Sequence, residues 1–233
     1  METLVEALRE ALSLLFSFDP DLLTIVGLTL KVTGVALVLS ILIGLPLGAG
    51  LGLREQVPAG GCLTPVIYTG MGLPPVVVGL TVYLLLSNQG VLGQLRWLFT
   101  PTAMVFAQTI IALPLMIGLT LTAVHSVDPI IRLQVRALGA TRWQLVWAVL
   151  SEARIGVLAA IVAAFGSIIS EVGAVMLVGG NIEHETRTLT TAIVLETRKG
   201  NFAFALALGA ILLSLAFAAN FMMYHLERRG AGK

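Results

Sequence analysis

Few residues in this sequence are of a type that does chemistry, and fewer are spaced to do it together. Cys62 is the single cysteine, so no intramolecular disulfide can form. His125, His184 and His225 lie too far apart in sequence for a local metal-ligand motif. Ser167 and Ser170 fall inside an apolar run, where an intramembrane protease would keep its nucleophile. Such a nucleophile needs a histidine base at the same depth, and none of the three histidines lies in an apolar run. Glu171 is the one acidic residue within these runs, about 10 Å from the outer end of its run at 1.5 Å per residue. A charge at that depth costs about 3 kcal/mol on insertion scales, so it must face protein or a water-filled cavity. Two readings compete for it: Glu171 borders a solute pathway, or it is a structural acid hydrogen-bonded to Ser167, Ser170 or another helix. The structural reading is preferred, because a carboxylate does nothing for an anion route. The stretch Gly179 to Asn201 that follows is polar. Its Asn181, His184, Arg187, Thr186, Thr188, Thr190 and Thr191 offer donors that an oxyanion could use. A solvated loop or partner-docking surface is the plainer reading and is preferred.

The elements that position these residues are set by composition. The chain has 233 residues, 57% hydrophobic and 12% charged, with a mean hydropathy of +0.96. An ordinary soluble domain has roughly 25% charged residues, so lipid must be the solvent for much of this chain. A formal charge of +1 provides no basic field for nucleic acid. Five apolar runs reach the roughly 20 residues that cross a bilayer as a helix: residues about 24–53, 63–87, 100–124, 155–178 and 202–224, with Lys31 in the first and Glu171 in the fourth as their only charges. Residues 3–16 are apolar at helical spacing but short, and carry Glu6, Arg9 and Glu10, which predicts an interfacial helix. The first thirty residues lack the features of a cleavable signal, so the first span is expected to direct insertion. The fold predicted is an all-α integral membrane protein of five spans. Residues 1–21 form the interfacial segment, 22–226 one transmembrane domain, and 227–233 a cytoplasmic tail.

Charge bias orients the spans. If the segment between spans three and four is cytoplasmic, Arg54, Arg132, Arg136, Arg142, Arg154, Arg228, Arg229 and Lys233 are inside, against Arg9, Arg96, Arg187, Arg198 and Lys199 outside, eight to five, with Lys31 left uncounted because it lies inside the outer end of the first span and can snorkel to the interface. The N-terminus is therefore expected outside and the C-terminus inside. Within the spans, Gly44, Gly48 and Gly52 recur every four residues, as do Gly166, Ser170 and Ala174, which predicts close helix packing along each face. Pro74 and Pro75 in span two and Pro114 in span three remove amide donors, leaving a broken or kinked helix at membrane depth. A break there points toward a transport pathway; a simple kink is the alternative.

The segment from Asp128 to Glu152 carries the most specific local pattern. Asp128 before Pro129 is a helix start, Gly139 a stop, and Thr141 with Gln144 a capping box. Two short helices should meet at a glycine corner, with Ile131, Val135 and Leu138 on one face of the first. Such a knob suits a cleft in a soluble partner, and a hairpin lying on lipid headgroups is the alternative.

Arg136-Ala137-Leu138-Gly139-Ala140-Thr141-Arg142-Trp143 resembles the centre of the cytoplasmic coupling loop of binding-protein-dependent ABC importer permeases. The family pattern is Glu-Ala-Ala, three residues, then Gly. Gly139 matches the glycine, Leu133, Gln134 and Val135 occupy the Glu-Ala-Ala positions, and Val149-Leu150-Ser151-Glu152 stand where the family has Ile-x-Leu-Pro. Leu73 to Leu80, Pro101 to Pro114, Glu171 to Ile182 and Glu196 to Phe202 resemble the tungstate-type branch of the oxyanion permeases, beside molybdate and sulfate relatives. The resemblance implies a type I importer permease in the plasma membrane of a prokaryote. It also implies a homodimer, two copies of a separate ATPase that binds ATP and Mg, and an extracytoplasmic oxyanion-binding protein. The absence of a G-x-x-x-x-G-K-[ST] phosphate loop agrees that this chain is not the ATPase. No cofactor is expected in the chain itself. Asp128 to Arg142 is the expected ATPase-coupling segment, and Pro74, Pro75, Glu171, Asn181 and Arg187 are candidates for the pathway or its gate. A carrier or channel working without ATP is the rival reading, and would bring more intramembrane charge.

Overall fold

A computed structural model of the chain describes residues 9, 11–14, 19–54 and 62–231, with the side chains of 227 and 229–231 left aside. The expected interfacial helix at residues 3–16 lies mostly outside the described residues; residues 11–14 within it are helical. In chain order, the longer helices are α1 (Pro20–Gly52), α2 (Leu63–Met71), α3 (Pro75–Leu86), α4 (Pro101–His125), α5 (Pro129–Ala137), α6 (Arg142–Glu152), α7 (Arg154–Ile169), α8 (Gly173–Gly179), α9 (Leu189–Lys199) and α10 (Phe202–Ala231). The all-α expectation holds among the described residues.

α1, α4 and residues Phe202–Leu226 of α10 are each long and apolar enough to cross a bilayer, and two bent helix pairs bring the candidates to five. One bent pair is α2 and α3, which meet at 98°. Pro75 begins α3 with its φ already helical, while Pro74 sits in the extended region that precedes a proline. The other pair is α6 and α7, which meet at 69° across Ala153. The fourth apolar run does not continue as one helix from 155 to 178: it stops at Ile169 and restarts at Gly173. The polar stretch 179–201 is not wholly a loop either, since α9 occupies Leu189–Lys199.

The described helices divide into two compact units. In the first, which takes in the N-terminal half of α1, α3, the start of α4, and α8, α9 and most of α10, a core of Leu22, Ile25, Leu189, Ala192, Ala207 and Leu208 joins α1, α9 and α10. In the second, which takes in the C-terminal half of α1, α2, the rest of α4, α5, α6 and α7 as far as Phe165, the last turn of α7 from Gly166 belonging to the first, Ala49, Val124, Val127, Val149 and Ala153 form a core under the glycine corner. Here the glycine stripe does what its spacing predicts. A Cβ placed on Gly44, Gly48 or Gly52 would lie 2.7 Å from Met116 Cβ, 2.6 Å from the Ile117 carbonyl oxygen or 2.7 Å from that of Leu121, so only glycine lets α1 lie against α4. The second stripe does not form a packing face: Gly166 and Ser170 are exposed, and Ala174 lies beyond the break in the helix. Pro114 stays inside the unbroken α4, its ring 2.9 Å from where a Cβ on Gly70 would stand.

Candidate functional site

The glycine corner is built from local rules. Asp128 is in an extended conformation and its carboxylate accepts from the Ile130 amide at 2.8 Å, with Pro129 at the first helical position. At the other end of α5, the Gly139 amide donates to the Arg136 carbonyl at 3.0 Å and the Ala140 amide to the Val135 carbonyl at 3.3 Å. That pair of bonds is a Schellman stop, and Gly139 takes the φ of +79° that it demands. α6 opens on a closed capping box: the Thr141 amide donates to Gln144 Oε1 at 2.7 Å, and the Gln144 amide to Thr141 Oγ1 at 3.4 Å.

The apolar face expected at Ile131, Val135 and Leu138 is divided. Ile131 packs against the core, Val135 is half-buried, and Leu138 is 87% exposed because it has already left the helical register as the C-cap. Leu133, Trp143 and Trp147 are exposed with it, so the corner presents large apolar groups with no partner inside the described residues. Arg136, Ala137 and Arg142 share that exposed surface.

A second arrangement lies at the break between α7 and α8. Once Ile169 ends α7, its last carbonyls lose their intrahelical donors, and in lipid they cannot turn to water. Gln108, on α4 and 3% exposed, donates its Nε2 to the Ile168 carbonyl at 3.0 Å. The Glu171 carboxylate accepts from the Ala174 amide at 2.9 Å, and its own carbonyl accepts from Thr190 Oγ1 at 2.8 Å. Glu171 is thus hydrogen-bonded, but to the first turn of α8 rather than to Ser167 or Ser170; the Ser170 hydroxyl donates to the Gly166 carbonyl at 2.7 Å. α3 presses on this point: a Cβ on Gly79 would lie 2.5 Å from Ala174 Cα, and one on Gly173 2.5 Å from Val76. Gln108 and Thr190 were not singled out from the sequence as belonging to this break. A glutamine within an otherwise apolar run was the available signal for the first.

The polar stretch after α8 is turned inward. Thr186, Thr188, Thr190 and Thr191 are all buried. Thr186 Oγ1 donates to the Gly179 carbonyl at 2.6 Å and accepts from the Ile182 amide at 2.9 Å, while the Leu189 amide donates to Thr29 Oγ1 of α1 at 2.9 Å. Those hydroxyls hold the backbone and are not an open array of donors. Asn181 and His184 adopt positive φ, 53° and 59°. Arg187 pairs with Glu183 at 3.1 Å, and buried Glu196 accepts from Lys199 and Asn201 at 2.9 and 3.0 Å. These groups and Asp21 line a cavity of about 290 Å³, where three carboxylates outnumber Arg187 and Lys199. All five pathway candidates lie in the first unit: Pro74 and Pro75 open the helix whose Val76 meets Gly173 beside Glu171, Asn181 and Arg187 follow α8, and the cavity at Arg187 carries no positive excess to attract an anion.

Apolar helices suited to a bilayer, two bent pairs among them, a break re-satisfied by side chains, and a capped corner with an unpartnered apolar surface together define a polytopic membrane protein. Its fold matches that of a solved bacterial ABC transporter involved in importing the acidic polysaccharide alginate, with a TM-score of 0.72 at 22% identity over 95% of this chain and 83% of that one. The chain belongs to the family of binding-protein-dependent transport system inner membrane components, whose pattern matches residues 44–231. It is 45% identical to a probable anion ABC transporter permease protein of Haloferax volcanii, over 91% of this chain and 93% of that protein. It is 37% identical to the tungstate uptake system permease protein TupB of Peptoclostridium acidaminophilum, over 97% and 99%.

Proposed function

We propose that this chain is the membrane-spanning subunit of an ATP-driven importer for a tetrahedral oxyanion, with tungstate as the cargo. The observation that carries the reading is the similarity, over nearly the whole chain, to permeases named for anion and tungstate transport. The glycine corner supports it, because a rigid knob with exposed apolar side chains is what a separate ATPase would grip. In this reading two copies of the chain form the pathway, two ATPase subunits bind ATP and Mg and engage residues 128–152, and an extracytoplasmic binding protein delivers the anion. The N-terminus faces outward and the C-terminus the cytoplasm of a prokaryotic cell. ATP-driven closure of the partner displaces the corner, and the spans switch access from one side to the other. High-affinity selection rests with the binding protein, consistent with the lack of an anion-attracting cavity at Arg187.

The test is cellular tungsten, molybdenum and sulfur measured by mass spectrometry in a strain lacking this gene, against the complemented strain, on trace oxyanions. Tungsten alone should fall and return on complementation. A fall in molybdenum or sulfur instead moves the cargo within the oxyanion class, and no change in any of them sinks the oxyanion reading.

A further inference from the structure

Arg132 is the fourth residue of α5, where a cation meets the positive end of its own helix dipole, the wrong end for it. Its guanidinium is turned elsewhere. Nη2 donates to the Val124 carbonyl at 2.7 Å and to the Gly52 carbonyl at 3.2 Å. Gly52 is the last residue of α1 and Val124 the last but one of α4, so both acceptors are helix-end carbonyls without an intrahelical donor; that of Val124 also accepts a long bond from the Val127 amide at 3.4 Å. The two ends are close enough to share one nitrogen because Gly52 has no side chain: a Cβ there would lie 2.7 Å from the Leu121 carbonyl oxygen and 2.8 Å from Val124 Cβ. Nε of Arg132 is buried and has no hydrogen-bond partner among the described residues. All of these residues belong to the second compact unit.

We infer that Arg132 is the positioning residue that ties the glycine corner to two spans at once, so that a displacement of α5 moves the ends of α1 and α4 together. The inference rests on the reading of residues 128–152 as the ATPase-coupling loop, and goes beyond it by naming the side chain through which the motion passes. A charge-assisted hydrogen bond to each helix end, shared through one nitrogen, holds the two ends at a fixed offset from α5. Without it, α5 keeps only residues 126–128 as a covalent link to α4, and the apolar packing of Ile131 on the core that includes Ala49 of α1 and Val124 of α4.

The test uses the whole complex in proteoliposomes, with its ATPase and binding protein and tungstate as the probe. The readout is ATP hydrolysed per tungstate delivered. A fault that only lowers the amount of assembled complex scales both quantities alike and leaves that ratio unmoved. In R132M, which keeps an unbranched apolar stem and removes every donor, the ratio should rise about tenfold, as expected for the loss of charge-assisted hydrogen bonds. R132K, with an ammonium able to reach the same carbonyls, should recover part of the loss. A wild-type complex that responds to loaded binding protein, beside an R132M complex with an unaltered ratio, overturns the latch alone. A wild-type ATPase indifferent to loaded binding protein overturns the coupling-loop reading, and the latch with it. Should R132M fail to assemble, spin labels in the Arg132 protein decide. With Cys62 replaced by Ser, label pairs at positions 54 and 130 and at 126 and 130 should keep the same separations in nucleotide-free and ATP-bound complexes. A change in either distance overturns the latch.

Discussion

Gly139 is held by conformation rather than by space. Its φ is +79°, yet nothing lies within 4 Å of where its Cβ would be. A substitution there meets no clash and feels only the strain of the left-handed region, about 1–2 kcal/mol for an ordinary residue and more for a β-branched one. G139V should therefore loosen the corner and depress ATP-coupled uptake, while G139N, which tolerates that conformation, should retain most of it; equal activity in the two would refute the strain argument. Glu171 makes the opposite case. Its carboxylate is an acceptor for the Ala174 amide, and a glutamine oxygen can replace it. E171Q should assemble and transport nearly as the native protein does, whereas E171A, losing that hydrogen bond at about 1 kcal/mol, should lower the midpoint of thermal unfolding in detergent. Abolished transport in a well-assembled E171Q would return the residue to the pathway.

Among the elements, α1 and α4 are joined by the closest backbone contact in the second unit that a single substitution would test. A Cβ on Gly48 stands 2.6 Å from a backbone oxygen that cannot rotate away. G48V should cost about 1–3 kcal/mol or more through overpacking, visible as a loss of thermal stability and of assembled protein, while G50A, at a glycine with open space around it, should not. The elements also show which features could be read in advance. Asp-Pro, the corner glycine and Thr-x-x-Gln are instructions confined to four residues, so both caps and the stop of α5 were legible. The break after Ile169 was not, because it is underwritten by Gln108 on another helix and by Thr190 beyond the next one. An apolar run reports that a stretch prefers lipid; it does not report where a distant amide will replace a helical hydrogen bond. α9 was missed for a related reason. Its threonines read as loop residues by composition, although the Thr188 amide donating to Thr191 Oγ1 at 3.0 Å and Gly200 at a φ of +79° are ordinary helix ends. The glycines at positions 44, 48 and 52 were legible because their meaning depends on spacing alone; the stripe from Gly166 failed because it presumed an unbroken helix.

For the whole molecule, the distribution of chemistry is itself informative. The described residues hold no group of three metal-ligating side chains, and the cations at the cavity beside α9 are paired with carboxylates, Arg187 with Glu183 and Lys199 with Glu196. What is specific is mechanical: caps, close helix contacts and one arginine bridging two helix ends. In the proposed reading, a subunit that passes an anion already chosen by another protein needs that balance. The elemental measurement should accordingly show that point changes at the corner reduce the rate of tungsten accumulation without altering which element accumulates. A corner variant that admitted molybdenum in place of tungsten would contradict this division of labour.

Trp143 and Trp147 stand one helical turn apart on the open side of α6, at 76% and 72% exposure, and the sequence contains only one other tryptophan, Trp97. The protein thus carries its own optical label at the surface proposed for the ATPase. Emission excited at the indole band is dominated by that surface, and docking or release of a partner there can be followed in unmodified protein as a change in colour and quenching.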